Sequence, residues 1–133
     1  MGKGIEIGQL SSKVQSMLES YRDDIADGID DAAKKAASDC CKEIKANAER
    51  AFKSHSAKTY SKQWTTKQTG DRRGKAEHTV YCKKPGLPHL LENGHAKPGG
   101  GRVAGKPHIA PAAEHAAEAF QTSVEELIQN AAR

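Results

Sequence analysis

The chain has 133 residues, 36% of them hydrophobic, with a mean hydropathy of -0.76 and a net charge of +4. That length fits one domain, and the low apolar content predicts either a thin core that neighbouring subunits complete or partial disorder. No apolar run approaches the roughly 18–20 residues that span a bilayer, the first ten residues lack the apolar stretch of a secretory signal, and three cysteines (Cys40, Cys41 and Cys82) make a poor disulfide framework that points to a reducing compartment.

Residues 1–8 read as a flexible N-terminus. From Gln9 to Phe52 apolar residues recur every three or four positions: Leu10, Val14, Met17, Leu18, Tyr21, Ile25, Ile29, Ala32, Ala36, Cys40, Ile44, Ala48 and Phe52. That spacing predicts one long helix over 9–52, with Ser11 or Ser12 as its cap. Gly28, set among Asp27, Asp30 and Asp31, is its expected weak point, because a glycine inside a helix costs about 1 kcal/mol relative to alanine.

Residues 53–58 read as a connector. Thr59 to Thr69 is rich in β-formers, with Tyr60, Trp64 and Thr66 on one parity, and Asp71 to Gly74 reads as a turn. The following strand places Ala76, His78, Val80 and Cys82 on one face. A lysine-rich β-hairpin over 59–84 results, and it must pack on another element, since an isolated hairpin is marginal in water.

Pro88 starts a short helix over 88–94 that Gly94 closes. Residues 95–107 read as a glycine-rich loop, mobile over 95–105 until a partner contacts it, and Ile109 as part of a last short strand. Pro111 suits the first turn of a final helix over 111–131, with Ala113, Ala116, Phe120, Val124, Leu127 and Ile128 on one face. The order is α+β.

The charge is unevenly spread. Residues 53–107 hold 12 basic and 3 acidic residues, a balance of +9, between flanks of -2 and -3. Lys58, Lys62, Lys67, Arg72, Arg73, Lys75, Lys83 and Lys84, interleaved with Tyr60, Trp64 and Tyr81, could meet DNA or an acidic partner, with phosphate contacts and stacking on the aromatic rings. The plainer reading is a solvated hairpin whose lysines discourage edge pairing.

Catalytic signals are weak. Gly100 to Lys106 resembles half of a phosphate-binding loop, but Pro107 follows where a hydroxyl is needed. The six histidines fit no metal-ligand spacing, although folding could gather His89, His95 and His108. Cys82 near His78 is better explained as hairpin core. No catalytic, metal or cofactor-binding residue is therefore expected.

The stretch His89-Leu90-Leu91-Glu92-Asn93-Gly94-His95, then Gly101-Arg102-Val103-Ala104-Gly105, then Lys106-Pro107-His108-Ile109-Ala110-Pro111-Ala112, resembles the neck or tail-completion proteins of lambda-like long-tailed bacteriophages, also called tail components. The likeness covers most of the chain and is specific over residues 81–120. It implies a non-enzymatic virion protein that joins or completes the head–tail connection as part of a homo-oligomeric ring. Implied neighbours are the head-closure and tail-terminator proteins and the DNA in the channel, with no membrane partner. The implied place is the virion neck, reached by assembly in the host cytoplasm. Leu90, Leu91, Glu92, Gly94, His95, Arg102, Lys106, Pro107, His108 and Pro111 would form its interaction joint, with Glu92 accepting hydrogen bonds from a loop. The alternative is a small basic nucleic-acid-binding module.

Overall fold

A computed structural model of the chain describes residues 7–53, 55–70 and 76–131. The expected flexible 1–8 segment lies mostly outside these residues, as do the Asp71–Gly74 turn, Arg72 and Arg73 within it, and Lys75. The architecture is α+β. Helix α1 (Ile7–Ala51) is followed by α2 (His55–Ser61), the strands β1 (Trp64–Thr69) and β2 (Glu77–Cys82), α3 (Pro88–Asn93), the strands β3 (Gly94–Ala96) and β4 (Arg102–Ala104), and α4 (Ala110–Ala131).

The 45 residues of α1 run without a break, about 67 Å at 1.5 Å per residue. Gly28 does not interrupt the helix. Its role is spacing: a Cβ there would lie 2.5 Å from Leu127 Cδ2. The missing side chain lets α4 approach closely, and helix continuity outweighs glycine's modest penalty. Helix α4 runs antiparallel to α1, with Leu127 against Gly28 at one end and His115 bonded to Glu43 at the other, Nδ1 to Oε1 2.6 Å.

The core surrounds the C-terminal half of α1. Cys40, Cys41, Ile44 and Ala48 pack with Tyr60, Trp64, Cys82 and Ala112, and Phe52, Val80, Leu87, Leu91, Ile109 and Ala116 flank them. On α4 it is Ala112, not the expected Ala113, that points fully inward, and Ile128 is exposed. Among the described residues the N-terminal part of α1 has no such cover: Leu10, Val14, Met17, Leu18 and Tyr21 remain 42–65% exposed.

Three local expectations are corrected. Residues 53–61 are not a connector leading into a strand, because α2 occupies His55–Ser61 and β1 starts only at Trp64. Burial of Tyr60 and Ser61 overrides their local preference, and the turn closes with Gln63 N–H donating to Tyr60 O at 3.0 Å. The hairpin that follows is antiparallel, Trp64 facing Cys82, Thr66 facing Val80 and Gln68 facing His78, so the inward parity of β2 stands as read.

Residues 95–107 are likewise not an irregular loop. Gly94 pairs with Ala104, His95 with Val103 and Ala96 with Arg102 in a second small hairpin. Lys97 N–H donates to Gly101 O at 3.0 Å across its turn, where Gly100 and Gly101 take φ of 100° and 80°. Those left-handed angles are what the glycines supply. Third, Ile109 lies on no strand. It sits one residue before α4, where its carbonyl accepts from Ala113 N–H at 2.9 Å.

Candidate functional site

The joint singled out in the sequence closes around Glu92 at the end of α3. Its Oε1 accepts from the backbone N–H of His108 at 2.8 Å and of Ile109 at 2.9 Å, and its Oε2 from that of Ala110 at 2.9 Å. These are amides at the start of α4, which have no partner within their own helix. The carboxylate thus caps α4 from a distant element and sits at the positive end of its dipole. Burial pushes the Glu92 carboxyl up, but the three backbone bonds outweigh it and hold the group below its ordinary value.

His108 locks the joint from beneath. It is fully buried, and its Nδ1 faces two acceptors, Lys106 O at 2.9 Å and Glu92 Oε1 at 3.0 Å. That environment places the ring proton on Nδ1 and leaves Nε2 to accept from Tyr60 Oη at 2.7 Å. Burial raises the Tyr60 phenol to about 12, so it stays a donor. Phe52 and Tyr60 meet the imidazole edge-on, with ring centroids 5.3 and 5.6 Å away.

Two further bonds tie the joint to the end of α1. Lys106 Nζ donates to Ala51 O at 3.0 Å, a cation on the negative end of that helix, and Asn47 Nδ2 donates to His108 O at 3.2 Å. Lys106 Nζ also lies 5.7 Å from the centre of the Phe52 ring. The lysine of the partial phosphate-loop match is therefore engaged within the fold.

Backbone contact completes the arrangement. Gly94 closes α3 with φ 84° and its N–H bonded to Leu90 O. A Cβ at Gly94 would lie 2.4 Å from Val103 O, and one at Gly105 would lie 2.4 Å from Glu92 O. The start of β3 and the end of β4 meet with no room for side chains.

The other residues assigned to the joint divide by exposure. Leu90 and Leu91 are half-buried, Leu91 against the core, and Pro111 is half-buried in the first turn of α4. His95 is half-buried, with a buried Nδ1 that has no hydrogen-bond partner. Arg102 and Pro107 are exposed, and Arg102 Nη2 reaches Asn93 O only at 3.4 Å. The polar groups at the centre satisfy one another, an arrangement that fixes geometry. Among the described residues no cluster of three or more His, Cys, Asp or Glu is placed to hold a metal ion, and no helix is long and apolar enough to cross a membrane.

The basic hairpin presents Lys62, Lys67, Lys83 and Lys84 to solvent, with Lys67 Nζ 5.2 Å from the Tyr81 ring centre. The aromatic half of the nucleic-acid reading is corrected for Tyr60 and Trp64, whereas Tyr81 is half-buried beside Lys67. Trp64 is 5% exposed and packs edge-on against Tyr60 in the core, so neither ring can stack on a base. Strand parity grouped these rings with the core face; only their proximity to lysines suggested otherwise. The Tyr60–His108 bond links residues 48 apart, and no local spacing announces it.

Residues 12–94 match the model of a family described as "Bacteriophage HK97-gp10, putative tail-component". The chain belongs to this family. The match covers more than half of the chain, from α1 through α3, and ends at Gly94. It therefore includes the start of the joint, while β4, the Lys106–Pro111 approach and α4 lie beyond it. As a member of the HK97-gp10-like family, the protein is a structural tail component of a bacteriophage and belongs to the virion. No curated protein and no solved structure matches the chain.

Proposed function

We propose that this tail component is a neck subunit that joins or completes the head–tail connection as part of a homo-oligomeric ring, with no catalytic role. The observation that carries the reading is the projecting N-terminal part of α1, whose five large apolar side chains have no cover among the described residues. A contiguous exposed apolar face on a small protein marks an interface, and a core confined to one half of the molecule suits a part completed by its neighbours. The locked joint suits the same role, since it fixes α3, α4 and the end of α1 as one unit that can transmit load.

Its neighbours on this reading are the head-closure and tail-terminator proteins, and its place is the neck after assembly in the host cytoplasm. Lys62, Lys67, Lys83 and Lys84 form the face that meets the DNA in the channel or an acidic neighbouring ring. Repeating that charge around a ring multiplies its self-repulsion, so a negative surface must offset it. The burial of Trp64 and Tyr60 weighs against an independent nucleic-acid-binding module.

A lysate from phage lacking this gene is expected to hold DNA-filled heads and complete tails, unjoined. Adding the purified protein should restore joined particles and plaque formation. Joined, infectious particles in the gene's absence would overturn the reading.

A further inference from the structure

We propose that residues 7–22 of α1 form the interface between copies, packing parallel and side by side with the same segment of each neighbour. The inference rests on the ring reading above and specifies which surface closes the ring.

The spacing identifies the kind of partner. Leu10, Val14, Met17 and Tyr21 follow steps of four, three and four, the alternation that keeps one seam of a helix facing another helix. Leu18 widens the seam on one side. A face broader than a two-residue seam can touch more than one helix, as a helix flanked by two neighbours in a ring must.

The seam also continues a contact already present. Val14, Tyr21 and Gly28 are separated by steps of seven, so Gly28 occupies the same seam position as the two exposed residues before it. At Gly28 the seam is filled by Leu127 of α4. Over Leu10–Tyr21, about 17 Å further along the same helix at 1.5 Å per residue, every large apolar side chain is 42–65% exposed. One face of α1 is thus helix-covered in one half and bare in the other, and another helix is the matching cover.

Charge selects a second copy as the source of that helix. Residues 7–22 carry only Lys13, Glu19 and Arg22, whereas residues 53–107 carry a balance of +9. Copies meeting through their hairpins repel, while copies meeting through this segment meet almost no repulsion. Area fits as well. Five side chains at 42–65% exposure amount to about 500 Å² per copy, so two stripes face to face remove about 1,000 Å² in total, near the least that a specific interface needs. In a ring the stripe is divided between two neighbours, so each contact takes about half of that area from it.

The test uses the full chain with single added cysteines, Leu10→Cys, Met17→Cys and Tyr21→Cys, and Ser16→Cys on the opposite face as control; the native cysteines are buried at 9%, 7% and 9% exposure. Mild oxidation should cross-link all three seam variants and leave Ser16→Cys mostly monomeric on a non-reducing gel. Cross-linking at Met17→Cys alone would indicate antiparallel pairing and overturn the parallel arrangement. No preference for the seam positions would overturn the interface. In sedimentation, Met17→Lys combined with Leu18→Lys should lose the oligomer while keeping the wild-type circular dichroism spectrum, with melting that no longer depends on protein concentration. If that variant assembles like wild type, the inference fails while the ring reading stands. If wild type forms no oligomer either, the inference fails too, and the absence of a ring of this protein in the particle would remove the reading it rests on.

Discussion

Replacing Glu92 with alanine will lower stability by about 2–4 kcal/mol, since it removes a carboxylate that accepts three backbone amides at the start of α4. The loss combines charge-assisted hydrogen bonds with a stabilising charge at the helix's positive end. Glu92→Gln, which keeps the shape and one oxygen acceptor, will lose less. The same group sets an acid limit. Burial raises its carboxyl, and the backbone bonds from His108, Ala110 and Ile109 more than reverse that, so the folded-state value lies below the unfolded one. Its contribution is therefore complete above the unfolded carboxylate value, about 4.3, and disappears as pH falls through the lower folded value. Denaturant melts of wild type and Glu92→Ala from neutral to acid pH should converge at the acid end. A constant gap across that range would contradict the assignment.

Gly105→Ala will be at least as damaging, with an expected loss of about 3 kcal/mol or more from the disrupted joint. The added Cβ would lie 2.4 Å from Glu92 O, 2.6 Å from Asn93 C and 2.7 Å from Gly94 N, all backbone atoms that cannot rotate aside. The carrier of Glu92 would be displaced with them. Gly99→Ala, at a position where a Cβ meets nothing within 4 Å, is the matched control and should be close to neutral. Thermal melts of the two variants decide it, and equal stabilities would show that the close approach at Gly105 is unimportant.

Much of this fold was legible because periodicity reports burial directly. The long and final helices and the inward parity of His78, Val80 and Cys82 follow from spacing alone. So does the Pro88–Gly94 element, whose ends are marked by residues with special backbone angles. Glu92 was readable as an acceptor, but its partners at 108–110 were not, because they lie 16–18 residues away. Gly28 misled for a related reason: locally a glycine in a helix signals weakness, and only the approach of Leu127 explains it. The strand-forming run at Thr59–Ser61 became helical because Tyr60 is held by His108. The second hairpin escaped notice because three-residue strands are too short to show alternation. The exposed stripe shows the converse limit, since its spacing marks a buried face and leaves unstated which molecule buries it.

On the proposed function, this tail component is a structural ring subunit at the head–tail junction. A cryo-electron microscopy reconstruction of the intact virion tests it most directly. The expected result is a ring of identical copies in the neck, with the N-terminal parts of α1 side by side and parallel and the Lys62, Lys67, Lys83 and Lys84 face turned toward DNA or an acidic ring. A neck fully accounted for by other proteins, with this chain elsewhere in the tail or absent from the particle, would contradict it.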